Sequence, residues 1–75
     1  MKLTETVWGS KVIVKNLSTM NDLVKRRLSD LGIVEGTIVS LRNALPFGGP
    51  CTIETKGQWI AIRRKEAQCI QVEAV

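Results

Sequence analysis

The sequence contains no histidine and no tyrosine, and its only aromatic residues are Trp8, Phe47 and Trp59. Without imidazole, the commonest transition-metal ligand and the usual general base at neutral pH are both missing. The two cysteines, Cys51 and Cys69, form no Cys-x-x-Cys pair, so the four convergent nitrogen or sulfur ligands of a structural zinc site cannot be assembled. The seven carboxylates permit at most weak surface coordination of a divalent transition metal, and no cofactor is expected. Two cysteines are also few for a disulfide-stapled secreted scaffold, and they read as free thiols in a reducing compartment. Neither has a histidine to activate it as a nucleophile, and no glycine-rich phosphate loop follows a strand and opens a helix. An enzyme is therefore not expected. No apolar run approaches the ~20 residues needed to cross a bilayer, and Met1–Ser10 lacks the basic start and apolar core of a signal peptide. These absences describe a soluble, cytoplasmic protein with no direct membrane insertion.

What is present suits one small domain spanning residues 1–75. Hydrophobic residues make up 44% of the chain and charged residues 24%, a globular mixture and not a disordered one. A chain this short buries roughly 60% of its unfolded surface, so each large apolar side chain matters. The formal charge of +4 favours acidic partners without selecting one. A nucleic-acid module would carry a denser basic face with stacking aromatics, so nucleic acid is the less favoured partner.

The most informative stretch is Asn21–Gly36. Apolar residues at Met20, Leu23, Val24, Leu28 and Leu31 follow a helical period and are expected to pack as one stripe. Asn21 suits an N-cap, Asp22 complements the helix dipole, and Gly32 stands where a left-handed residue would close the helix. Lys25, Arg26 and Arg27 give this helix, about 21–31, a basic flank. Around it lie β-type segments. Lys11–Lys15 reads as a strand with Val12 and Val14 on one face, after a lead-in anchored by Leu3 and Val7 and a turn at Gly9-Ser10. Thr37–Arg42, Cys51–Thr55 and Gln58–Arg63 read as three more strands. Lys56-Gly57 is a tight turn, and Leu45–Pro50 is a proline- and glycine-rich hairpin connection. Val39, Leu41, Ile60 and Ile62 are expected inside. A helical turn near 64–68, with Ala67 inward, precedes a fifth strand at Ile70–Val72. The expected fold is mainly β: a small, closed, SH3-like five-stranded barrel with the short helix inserted after the first long strand and covering one end.

Such a barrel without reaction chemistry would act through its surface. Phe47, flanked by Leu45 and Pro46, is either a plug folded onto the barrel or an anchor for a partner. Trp59 faces outward, as a cover for the Arg63 stem or a second anchor. The Lys25–Arg27 cluster and Arg63–Arg64–Lys65 are solvated faces or contact sites. Polyproline binding of the SH3 type needs an aromatic-lined groove that this chain does not offer.

Laid side by side, RRLSDLGIVEGTIV, the LPFGGP loop and IAIRRKEAQCIQV resemble the FeoA family, small proteins of bacterial ferrous iron uptake. The resemblance runs from about Val12 to Val72 and rests on Leu28, Leu31, Gly32, Gly36, Pro46, Gly48, Pro50, Ala61, Arg63, Arg64, Ala67, Ile70 and Val72. It departs at Glu35, where the family has proline, and at Gly49, where aspartate is common. The resemblance implies an SH3-like barrel acting as accessory to FeoB, the membrane ferrous iron transporter with a cytosolic GTP-binding domain. Similar domains end metal-dependent repressors of the DtxR type. The contact residues expected for a FeoB-type partner are Phe47, Leu45, Pro46, Trp59, Lys25, Arg26, Arg27, Arg63 and Arg64. The alternatives are a nucleic-acid-binding barrel and a weak transition-metal regulator, and the chain is expected to be a monomer or a weak homo-oligomer.

Overall fold

The computed structural model describes residues 1–44 and 49–75. Five antiparallel strands form one sheet: β1 (Lys11–Asn16), β2 (Ile38–Ala44), β3 (Cys51–Thr55), β4 (Gln58–Ile62) and β5 (Gln71–Ala74). The strand order is β4-β3-β2-β1-β5. Helix α1 (Asp22–Asp30) connects β1 to β2, and the short α2 (Arg64–Gln68) connects β4 to β5. The result is the mainly β, SH3-like architecture expected from the sequence. Among the described residues β4 and β5 do not pair, so the barrel closes through side-chain packing and α2 instead of a continuous ladder.

Alternation of apolar residues places Val12, Val14, Val39, Leu41, Ile53, Ile60, Ile62 and Val72 in one core. The β3–β4 hairpin turns on Lys56 and Gly57, both at positive φ (52° and 79°), the type I′ geometry whose twist matches the strands it joins. Strand ends differ by one or two residues from the expected ones. Thr37 leaves β2 because its hydroxyl is engaged locally, accepting from the Val34 amide (3.1 Å) and donating to the Gly32 carbonyl (3.3 Å). Arg63 leaves β4 to become the N-cap of α2.

Helix α1 is capped at both ends as its sequence requires. The Asn21 side chain accepts from the Val24 amide at 3.0 Å. At the other end Gly32 takes φ +87°, its amide donates to Ser29 O (2.9 Å) and the Ile33 amide donates to Leu28 O (2.8 Å), a complete Schellman closure. This turn sends Leu28 and Ile33, both fully buried, into the core beside Leu17 and Met20.

Two apolar expectations fail. Leu23 is 79% exposed and Leu31 is also exposed, so the buried row is Met20–Val24–Leu28, spaced four apart, and Leu23 and Leu31 lie on a different row. Val7 is no anchor either. At 74% exposure it projects outward, because the lead-in folds as a 3-10 turn (Leu3–Glu5) that buries Leu3 alone.

This arrangement assigns very different weights to two leucines of one helix. Leu28→Ala is expected to lower stability by about 2–5 kcal/mol, while Leu23→Ala stays within about 0.5 kcal/mol of the parent. Urea denaturation of the two variants checks the difference.

Candidate partner-binding surface

The basic residues of α1 do not share one face. Consecutive helical residues are ~100° apart, so Lys25 and Arg27 point to opposite sides. Lys25 is half-buried and lines a shallow cavity of about 370 Å³ with Leu17, Ser29, Ile33, Val34 and Glu35. Arg27 turns toward α2, where its guanidinium pairs with the carboxylate of Glu66. Arg26 is exposed.

Glu66 is the junction of this surface. It is only 8% exposed, and the oxygen that meets Arg27 also accepts from the Arg63 amide (3.2 Å). That second bond is one half of a capping box at the start of α2. One carboxylate thus fixes the first turn of α2 and ties it to α1, bringing the Arg27 guanidinium to the start of α2. Arg64 is half-buried and close enough to Cys51 for its charge to favour the thiolate, although burial outweighs it and pushes the Cys51 thiol up. Both cysteines are free: Cys51 is buried and Cys69 partly buried.

Trp59 is exposed (65%), as expected, but its neighbour is not Arg63. The Arg42 guanidinium stands over its ring at 5.9 Å and pairs with Glu54, which faces Trp59 across the β3–β4 ladder. Arg42 and Glu54 border an open groove of about 860 Å³ on the outer face of the sheet, which also includes Val34, Ile38, Ser40 and Lys56. Ser40 points outward yet is buried, being small and flanked in register by Lys11 and Glu54.

Of the residues expected to meet a partner, the structure links Arg27 to the backbone of Arg63 through Glu66, with exposed Arg26 next to Arg27 and half-buried Arg64 near Cys51. Lys25 lies on another side of α1, and Trp59 sits at the far end of β4 from Arg63. Leu45, Pro46 and Phe47 fall outside the described residues. Glu66, Arg42 and Glu54 were missed. Glu66 offered only half a signal, since a capping box is marked by serine or threonine at the N-cap as well as the glutamate, and Arg63 is neither. The Arg42–Glu54–Trp59 set had none before the strand register was known. Among the described residues, no three histidine, cysteine, aspartate or glutamate side chains come together.

The FeoA domain pattern matches residues 1–74. The chain belongs to the FeoA family. The solution structure of FeoA from Chlorobium tepidum superimposes with TM-score 0.89 at 33% identity, covering 100% of this FeoA-family chain and 70% of that one. Iron(II) transport protein A from Clostridium thermocellum gives TM-score 0.85 at 31% identity, over 100% of this chain and 46% of that one. A manganese-dependent transcriptional repressor gives TM-score 0.89 at 17% identity, over 100% of this chain and 41% of that one, a likeness of fold alone. Among curated proteins, none matches. No described helix is long and apolar enough to cross a membrane.

Two outcomes test this geometry. Glu66→Ala removes both the α2 cap and the link to Arg27, and is expected to cost about 1–2 kcal/mol in urea denaturation. Burial raises the Cys51 thiol, so the folded state holds that proton more tightly than the unfolded chain. The stability this provides is complete below the ordinary thiol pKa and is lost as pH rises through the raised value. In native protein at mildly alkaline pH, Cys51 should react with a thiol reagent at least about tenfold more slowly than Cys69, and unfolding should abolish the difference.

Proposed function

We infer that this chain is a single-domain, cytoplasmic accessory of bacterial ferrous iron uptake that works by contact, docking its α1–α2 basic surface on the cytosolic region of a FeoB-type GTPase transporter. FeoA membership supports the role in iron uptake. The observation that carries the contact reading is the Glu66 junction, which ties the Arg27 guanidinium of α1 to the Arg63 amide at the start of α2. Pairing with Glu66 offsets the charge of Arg27. The outward attraction then comes from the exposed Arg26, Arg63 and Lys65, on a chain whose formal charge is +4.

Charges at the rim of an interface act mainly on encounter rate and orientation, so an acidic patch on the transporter would be steered to this surface. Exposed Leu23 and Leu31 flank Arg27 one helical turn away on either side and supply apolar area within the same surface. Any influence on GTP hydrolysis would follow from coupled binding, in which the nucleotide state alters affinity for this chain and the chain alters nucleotide affinity by the same factor.

The experiment measures binding to the transporter's cytosolic region in each nucleotide state, and GTP turnover with and without this chain. Arg63→Glu combined with Lys65→Glu is expected to weaken binding about tenfold or more and to flatten its salt dependence, with the native fold retained. Undetectable binding in every nucleotide state together with unchanged turnover would refute the reading.

A further inference from the structure

The two edges of the sheet are treated differently. At the β5 edge the N-terminal segment lies alongside: Lys2 bridges Gln71, the Val72 amide donates to Met1 O (2.8 Å) and the Leu3 amide donates to Ile70 O (2.9 Å). At the β4 edge no described residue plays that part. Strand β4 pairs with β3 alone.

The register shows which groups face outward. In a two-residue I′ hairpin the flanking pair, here Thr55–Gln58, exchanges both hydrogen bonds, and bonded and non-bonded pairs alternate from there. Gln58, Ile60 and Ile62 therefore direct their backbone groups to β3, while Trp59 and Ala61 direct theirs to the open edge. Among the described turn, loop and cap hydrogen bonds, none involves Trp59 or Ala61. Exposed edge strands are ordinarily protected by lysine, proline or an inward charge. The sequence of β4, QWIAI, has none of these. Both outward-bonding residues also have exposed side chains, and Trp59 is held from one side by Arg42.

We propose that the open edge of β4 is a strand-addition site for an extended segment of another protein, apolar at its centre and carrying carboxylates at both ends. Charge selects this occupant. Lys56 stands at the turn before β4 and Arg63 directly after it, so the edge is uncharged along its length and cationic at both ends. A second copy of β4 fits poorly. Antiparallel self-pairing about Ile60 would set Trp59 opposite the other copy's Ala61, but would bring Lys56 of each copy to the position of Arg64 in the other. Like charges would meet at both ends. An acidic-flanked segment meets cations there, while its main chain bonds Trp59 and Ala61 and an apolar side chain packs on the Trp59 ring. The site shares only Arg63 with the α1–α2 basic surface and does not depend on the FeoB reading.

The test uses the full chain, labelled with nitrogen-15, and a capped eight-residue peptide of two acidic residues, Val-Thr-Val-Ile, and two acidic residues. Binding is expected to shift the Trp59 and Ala61 amide signals and slow their hydrogen exchange. A peptide N-methylated at alternate central residues, on the bonding register, should bind at least about tenfold more weakly, the scale of one or more lost backbone hydrogen bonds, whereas methylation on the other register has little effect. Ala61→Lys should weaken binding similarly. Equal binding by both methylated peptides would overturn the proposal, as would shifts confined to Arg26, Arg27, Arg64 and Lys65. It would equally be overturned if Trp59 and Ala61 were protected by a concentration-dependent dimer without peptide, because the occupant would then be a second copy.

Discussion

Leu28 and Ile33 enter the core from either side of the Gly32 turn, and the remaining architecture depends on that local event. A 75-residue barrel has too little interior to leave one end open, since water reaching Val14, Val39 or Ile53 would remove much of what holds the chain together. The Schellman closure both ends α1 and aims the two side chains inward, and only a left-handed residue allows it. The same turn supplies the Gly32 carbonyl that Thr37 Oγ1 donates to, so the closure of the helix and the entry into β2 are linked by one hydroxyl.

The opposite closure is polar. Between β4 and β5, where no ladder joins the strands among the described residues, α2 is held by the buried carboxylate of Glu66. Removing a carboxylate from water is costly unless its charge and lone pairs are met, and here a guanidinium and a backbone amide meet them. A group needed to finish the barrel thus also decides which arginines stand together. The basic surface is a by-product of closure, which explains why Arg27 belongs to it and Lys25, two residues earlier, does not. The outer groove obeys a different rule, in which cross-strand register sets Glu54 opposite Trp59 and lets Arg42 reach both.

Where the sequence was legible, the information was local. The cap at Asn21, the stop at Gly32, the Lys56-Gly57 turn and the inward faces of β1, β2 and β4 each depend on neighbours within a few residues, and each stands where expected. Leu23 and Val7 were misread because apolar character states what a residue could bury and not what stands opposite it. A helix of nine residues has room for one buried row, and the choice between rows 20–24–28 and 23–27–31 belongs to the surface it lands on. The SH3-like class was recoverable because five short strands and one helical excursion leave few ways to bury the apolar face of a chain this small.

By itself the sequence determined the elements, their caps and turns, and membership of the FeoA family, because these rest on short-range stereochemistry and on residues in fixed order. The tertiary structure alone decided that Glu66 joins Arg27 to Arg63, that Arg42 and not Arg63 covers Trp59, and that among the described residues the β5 edge is covered while the β4 edge is not. Those outcomes depend on pairs separated by many residues, such as Arg27–Glu66 or Arg42–Trp59, whose proximity is set by barrel register and by no local preference.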